Sequence, residues 1–360
     1  MNISYSLSTL LFSFFLLSIG FTACQQSDEA PEETYPVMTV TGEISSEDMG
    51  TTLIHEHVLV DWIGADSTGY HRWDRDAVVE RVLQFINEAK KQGVETMLET
   101  TPAYLGRDPV LLQQLSKRSG VQILTNTGYY GAVDNNFMPE HAWEETAREL
   151  ADRWIDEFEN GIEDTGIRPG FIKISVKGEG PLSELHQKIV RAAGLTHQET
   201  GLTIVSHSPG DQPAQAQVDL LKEMDLSPSA WVWTHAQGGT LEKQIELGKE
   251  GAWISLDNFS YDPSVAADKE EEGEDDSIDW FVERLTDLKV AGLLDRVLIS
   301  HDAGYYNPDE ENGGDFREYT DIIEYLLPAL RENGFTDDEI NQLLVRNPQE
   351  AYGIRTRTVQ

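Results

Sequence analysis

The chain is 360 residues long, 39% apolar and 25% charged, with 64 Asp and Glu against 27 Lys and Arg and a formal net charge of −37. So acidic a surface repels nucleic acid and anionic lipid headgroups, which sets DNA and RNA aside as partners. The acidity reads as a solvated surface, as in proteins kept soluble in brine, and it says nothing about a reaction; the length suits one large domain or two ordinary ones.

Residues 10–19 form an apolar run broken only by serines, too short to cross a bilayer, and Phe21-Thr22-Ala23-Cys24 follows it. Cys24 is the only cysteine, and the polar, acidic stretch from Gln25 to Glu33 behind it has the composition of a tether. The segment looks like a bacterial lipoprotein signal. Residues 1–23 would be the leader, Cys24 the lipidated first mature residue, 24–36 the tether and 37–360 the folded domain. A plain secretory signal and an uncleaved anchor are the other readings, because no Lys or Arg precedes the run and Phe21 stands where Leu is usual. The expectation is an exported, cell-envelope lipoprotein (outer membrane, periplasmic or surface-facing) that touches the membrane only through its lipid. With Cys24 lipidated no disulfide can form, so no covalent cross-link holds the fold.

From about residue 36 onward short apolar runs alternate with longer amphipathic stretches. Residues 35–49 suggest a short β-hairpin. Strands are expected at 51–54, 94–98, 121–125, 170–174, 202–205, 231–234, 253–256 and 296–299, each rich in β-branched or aromatic residues. Between them, 75–92, 183–199, 213–224, 241–250 and 278–291 carry helical patterns, and 134–166 is a longer helical excursion. The acidic run within 262–279 reads as a solvated loop after the seventh strand. Eight strands alternating with helices imply an α/β fold, a TIM (β/α)8 barrel preceded by a short N-terminal hairpin. A doubly wound open sheet is the alternative, but no Gly-rich turn follows the first strand.

A TIM barrel presents its reactive groups at the C-terminal ends of its strands. His55 and His57 stand there after the first strand, Lys173 on the fourth, His207 after the fifth, His235 after the sixth and Asp302 after the eighth. Alternation places His55 and His57 on one face. A lone histidine at a strand end is more often a hydrogen-bonded core residue. Matching positions on five strands point instead to a site for divalent Zn, Mn, Co or Ni.

These residues carry a resemblance. The set His-x-His, Lys, His, His, Asp resembles the amidohydrolase superfamily. The stretches Gly50-Thr51-Thr52-Leu53-Ile54-His55-Glu56-His57, Leu105-Gly106-Arg107-Asp108, Gly170-Phe171-Ile172-Lys173 and Leu226-Ser227-Pro228 narrow it to the phosphotriesterase family, over roughly residues 38 to 354. The resemblance implies two divalent metal ions, zinc first, bridged by Lys173 as N6-carboxylysine and by a hydroxide. His55, His57 and Asp302 would hold the buried ion, and His207 and His235 the more exposed one. Lys173 and Asp302 would be the catalytic pair, Asp302 orienting the hydroxide and carrying its proton away. The implied activity is hydrolysis of an ester, lactone or phosphotriester of a small molecule, and a homodimer is common in the family.

Two positions depart from the pattern. Relatives lead a proton outward through an Asp after strand six and a His, or in lactonases an Arg, after strand seven. Gly238 and Asn258 stand there instead, with Asp257 retained just before. An intact metal set without its relay argues for an altered substrate. Tyr130 matches a lactonase tyrosine near the metals, and Tyr305 in the loop after strand eight could flank a substrate, so Tyr130, Asn258 and Tyr305 are the expected substrate contacts. His301 is expected to pack or hydrogen-bond behind the ligands. Hydrolysis of an amide or another small metabolite by the same centre, and a surface-anchored binding protein without turnover, remain the competing functions.

Overall fold

The computed structural model describes residues 1–4, 34–261 and 277–359. The chain divides into two units, Met1–Glu33 and Thr34–Gln360. The apolar run, Cys24 and most of the tether lie outside the described residues, as do residues 262–276 of the acidic loop. Among the described residues no helix is long and apolar enough to cross a membrane.

The second unit opens with an antiparallel hairpin, Pro36–Thr39 against Gly42–Ser45. Eight barrel strands follow. The first is Thr52–Glu56, the second Thr96–Glu99, and the third is split into Gln122–Leu124 and Asn126–Thr127. The fourth to eighth are Phe171–Ser175, Ile204–His207, Trp231–Thr234, Trp253–Leu256 and Val297–Ile299. Each lies within a few residues of its expected place. All pair in parallel, in a three-stranded and a six-stranded ladder whose seam is the break at Thr125. The circle closes between strands one and eight, where Asp302 N donates to His55 O at 3.0 Å and His57 N to Ala303 O at 2.8 Å.

The interior confirms closure. One buried cluster takes a side chain from each of the eight strands: Ile54, Leu98, Leu124, Phe171, Val205, Val232, Trp253 and Leu298. Val37 from the hairpin, Met49, Ala351 and Tyr352 plug its base. This is the packed layer that a TIM barrel requires, and the opposite, C-terminal end of the strands is left for chemistry.

Helices begin where a side chain can satisfy their first free N–H groups. Asp74 caps Arg75–Lys91, Asp108 caps Pro109–Ser119, Ser183 caps Glu184–Thr200, Thr240 caps Leu241–Glu250 and Ser277 caps Ile278–Val290. The excursion after strand three contains Ala147–Asn160, whose Leu150, Ala151 and Trp154 are buried.

Candidate metal centre

Local backbone irregularities aim the site. Ile54 points into the barrel, so simple alternation would send Glu56 inward and both histidines out. The pairing of strands one and two shifts between Leu53 and Glu56, and a bulge of this kind re-phases the side chains beyond it. His55 and His57 therefore turn toward the interior. His235 has φ +60° and Asp302 φ +53°, a left-handed conformation that costs energy outside glycine and recurs at functional sites. Glu56, turned away, ties strand eight to strand one. Its Oε1 accepts from Ser300 Oγ at 2.8 Å and from His301 Nδ1 at 2.7 Å, and its Oε2 from Ala303 N at 3.0 Å. His301 Nε2 accepts from Ile322 N at 2.9 Å, so both its ring nitrogens are engaged behind the site, as expected.

The ligand atoms converge. Asp302 Oδ1 lies 3.0 Å from His57 Nε2 and 3.6 Å from His55 Nε2, while Oδ2 lies 3.8 Å from His235 Nε2. The rings of His55 and His57 are 5.4 Å apart, His55 and His235 5.1 Å, and His207 and His235 4.5 Å. His55, His57 and Asp302 form one group able to hold an ion; the ligand atoms of His55, His235 and Asp257 lie as close together. Asp257 is better read as an orienting group. Its Oδ2 accepts from His55 Nδ1 at 3.0 Å and from Ser255 Oγ at 2.6 Å, and its Oδ1 from His235 N and Nδ1, both at 3.0 Å. That occupies its lone pairs, fixes the tautomer of both imidazoles and turns their Nε2 atoms to the cavity. His57 Nδ1 is held in the same way by Thr101 Oγ1 at 2.7 Å.

Electrostatics favour cation binding at His55, His207 and Asp302, while at His235 Asp257 outweighs burial and raises the imidazole. Burial, then Lys173, lowers His55 to about 4, so its Nε2 is free of a proton at neutral pH. Burial and the neighbouring His235 push His207 well below its ordinary value. Burial would raise Asp302, but His55 and His57 hold it well below the usual carboxylate range. Lys173 is buried, its Nζ has no hydrogen-bond partner, and burial lowers its pKa to about 8. An unpartnered buried amine is costly, and a neutral one is the form that reacts with carbon dioxide. The donor set of imidazole nitrogens, carboxylate oxygens and this amine fits a divalent cation.

The structure thus brings together His55, His57, Lys173, His207, His235 and Asp302. Tyr130 sits beside them, its Oη 3.4 Å from His207 Nδ1. Tyr305 donates its hydroxyl to Asp302 Oδ1 and stacks on His57 at 4.8 Å, so it belongs to the ligand environment as well as to the rim. At strand seven the contacts to the ligand histidines are made by Asp257, with Asn258 half-buried at the next position. Sequence reasoning noted Asp257 without assigning it a role; the signal was its parity with the inward Trp253 and Ser255. It also missed Trp62, which meets Tyr305 at 6.4 Å and Phe137 at 5.8 Å to form an aromatic wall. At Gly238, where the resemblance led to the expectation of a relay Asp, an added Cβ would lie 3.3 Å from Pro209 Cβ, a tight contact that a small shift relieves.

Comparison with known proteins follows the same lines. Residues 35–352 match the model of the phosphotriesterase family. The chain is similar to the phosphotriesterase homology protein of Escherichia coli, 27% identical over 310 residues, covering 86% of this chain and 100% of that protein. It is also 27% identical to the N-acetyltaurine hydrolase of Salmo salar, covering 87% of this chain and 96% of that one. Among solved structures, a mutant organophosphorus hydrolase from Deinococcus radiodurans superposes with a TM-score of 0.74 at 26% identity, over 88% of this chain and 97% of that one. A closed parallel barrel, a convergent His, Lys and Asp set at its C-terminal end, and a family match spanning nearly the whole second unit lead to one conclusion: the chain belongs to the phosphotriesterase family of hydrolases.

Proposed function

We propose that this chain is a hydrolase with two divalent cations at the mouth of its barrel, acting on an ester, lactone or phosphotriester of a small molecule. The carrying observation is the convergence of His55, His57, His207, His235 and Asp302, from four strands, with a buried amine on a fifth strand, Lys173 Nζ, that has no hydrogen-bond partner. His55, His57 and Asp302 would hold one cation and His207 and His235 the other. Lys173, having added carbon dioxide and released a proton, would stand between them as a carboxylate. Zinc suits the imidazole-rich set first, with Mn, Co and Ni compatible. When bound, the cations acidify a water and polarise the scissile C=O or P=O.

The chain's own groups do the rest. Asp302 accepts the proton of the attacking water. Asp257 and Thr101 keep the imidazoles aimed. Tyr130, Phe137, Tyr305 and Trp62 offer an apolar wall to an acyl or aryl group, and Asn258 borders the same mouth. Without a relay carboxylate after strand six, leaving groups that depart unprotonated are favoured, which selects aryl esters and aryl phosphotriesters, while the alkoxide released from a lactone would take back the proton held by Asp302. Similarity to an N-acetyltaurine hydrolase supports the second reading, an amide substrate whose leaving nitrogen takes its proton from Asp302. We further propose that the enzyme is exported and held at the envelope through a lipid on Cys24.

The test is a rate panel on the full chain supplied with Zn or Mn and bicarbonate. Lactones, aryl esters, a phosphotriester and N-acyl amides are compared, with Lys173→Ala and Asp302→Asn as controls. Fastest turnover of lactones or esters, lost in both controls, supports the reading. Turnover of amides alone moves the substrate class, and no turnover by metal-loaded protein favours a binding role.

A further inference from the structure

The loop after strand eight returns on itself within four residues. Asp302 has φ +53° and Tyr305 φ +74°, both left-handed, and Gly304 lies between them. A Cβ at Gly304 would fall 1.8 Å from His57 O, so no other residue brings the loop this close to strand one. Arg317 Nη1 donates to Asp302 O at 2.9 Å, and Tyr319 Oη donates to His57 O at 2.6 Å, which fixes both sides of the turn. The turn delivers the Tyr305 hydroxyl to Asp302 Oδ1. The Tyr305 ring stacks on His57 at 4.8 Å and 25°, and the Trp62 ring lies nearly parallel to it at 6.4 Å and 22°.

The two oxygens of Asp302 face different neighbours. Oδ1 meets His57, His55 and Tyr305; Oδ2 meets His235. The terminal torsion of an aspartate is broad and nearly two-fold, so nothing intrinsic to the side chain keeps the oxygens distinct. Resting on the hydrolase reading above, we propose that Tyr305 is a positioning residue that assigns the two oxygens of Asp302 their separate tasks. By donating to Oδ1 it commits that atom to the His55–His57 side and leaves Oδ2 turned toward His235, where the attacking water gives up its proton. The stack on His57 keeps the hydroxyl from swinging away. Tyr305 thereby supplies order at a centre whose outward relay positions carry Gly238 and Asn258.

The experiment compares full-length wild type with Tyr305→Phe and Tyr305→Ala, each loaded with cobalt. The visible absorption of bound cobalt reports the geometry of its ligands independently of turnover. Tyr305→Phe retains the stack and removes only the hydroxyl. The expected result is unchanged cobalt content and thermal midpoint, an altered cobalt spectrum, and a kcat lowered about 10- to 100-fold with KM within about twofold, the size expected for a hydrogen bond to a charged group. Tyr305→Ala should alter the spectrum further and raise KM through loss of the wall. If wild type turns over nothing on the panel, the hydrolase reading fails, while a spectral change in Tyr305→Phe still supports the positioning role. A Tyr305→Phe protein with the wild-type spectrum and kcat, or one whose only change is a lower thermal midpoint, overturns it.

Discussion

Asp257 shows how much of this centre depends on a residue that no ligand pattern names. Its carboxylate, held well below the ordinary range because His235 and His55 outweigh the effect of burial, orients two imidazoles at once. Replacing it by Asn keeps the shape but removes the charge that fixes both tautomers. The expected outcome for Asp257→Asn is a folded protein whose metal affinity falls about 10- to 100-fold, measured by chelator competition. Lys173 makes a pH prediction. Burial lowers its amine to about 8, below the 10.5 of an exposed lysine. The neutral, reactive fraction therefore rises with pH through that value, from roughly one tenth at pH 7 to nine tenths at pH 9. At fixed dissolved carbon dioxide, metal-free protein should activate about tenfold faster at pH 9 than at pH 7; a flat profile would count against an unpartnered amine.

At the scale of elements, the strands were legible because each is a short β-branched or aromatic run, and the helices where apolar residues recur at helical spacing, as in Asp211–Glu223, whose Gly210 supplies no side-chain cap; the Asp108-capped Pro109–Ser119 received no assignment. What could not be read was direction. The shift between Leu53 and Glu56 is a pairing irregularity, and the left-handed backbone of His235 is imposed by its surroundings; neither has a local signature. His55 and His57 were placed correctly on one face, but only the bulge turns that face inward. The segment beyond residue 320 received no assignment. It is built of short pieces such as Leu327–Glu332 and Asn347–Tyr352, each with a proline in its first turn, and packing rather than periodicity holds them. Glu56 is the other residue whose role emerges only with tertiary structure, because its partners lie some 245 positions away. Glu56→Ala would strand the His301 ring N–H and the Ala303 amide in the interior, costing about 3 kcal/mol in denaturant unfolding and loosening the turn that carries Asp302.

Across the whole molecule, the barrel separates stability from chemistry. The layer from Ile54 to Leu298 and its plug at Tyr352 close one end, and the candidate site occupies the other. The net charge of −37 acts over all of it. Self-repulsion at that charge opposes compaction, and salt relieves it as the Debye length shortens from about 10 Å at 0.1 M to about 3 Å at 1 M. The thermal midpoint should therefore rise over that range, and a midpoint that falls would mean that the surface ion pairs outweigh the repulsion. The relay also belongs to this scale. Gly238 lies against Pro209, where an added Cβ would meet Pro209 Cβ at 3.3 Å, so a side chain there needs a small adjustment between the loops after strands five and six.

The most direct measurement is metal content by elemental analysis of the full chain after loading with zinc and bicarbonate, beside Lys173→Ala treated identically. Two equivalents per chain are expected in the wild type and a sharp loss in the variant, with turnover lost in parallel. Wild-type protein that folds and binds no metal, or a Lys173→Ala protein that keeps both equivalents, would contradict this expectation.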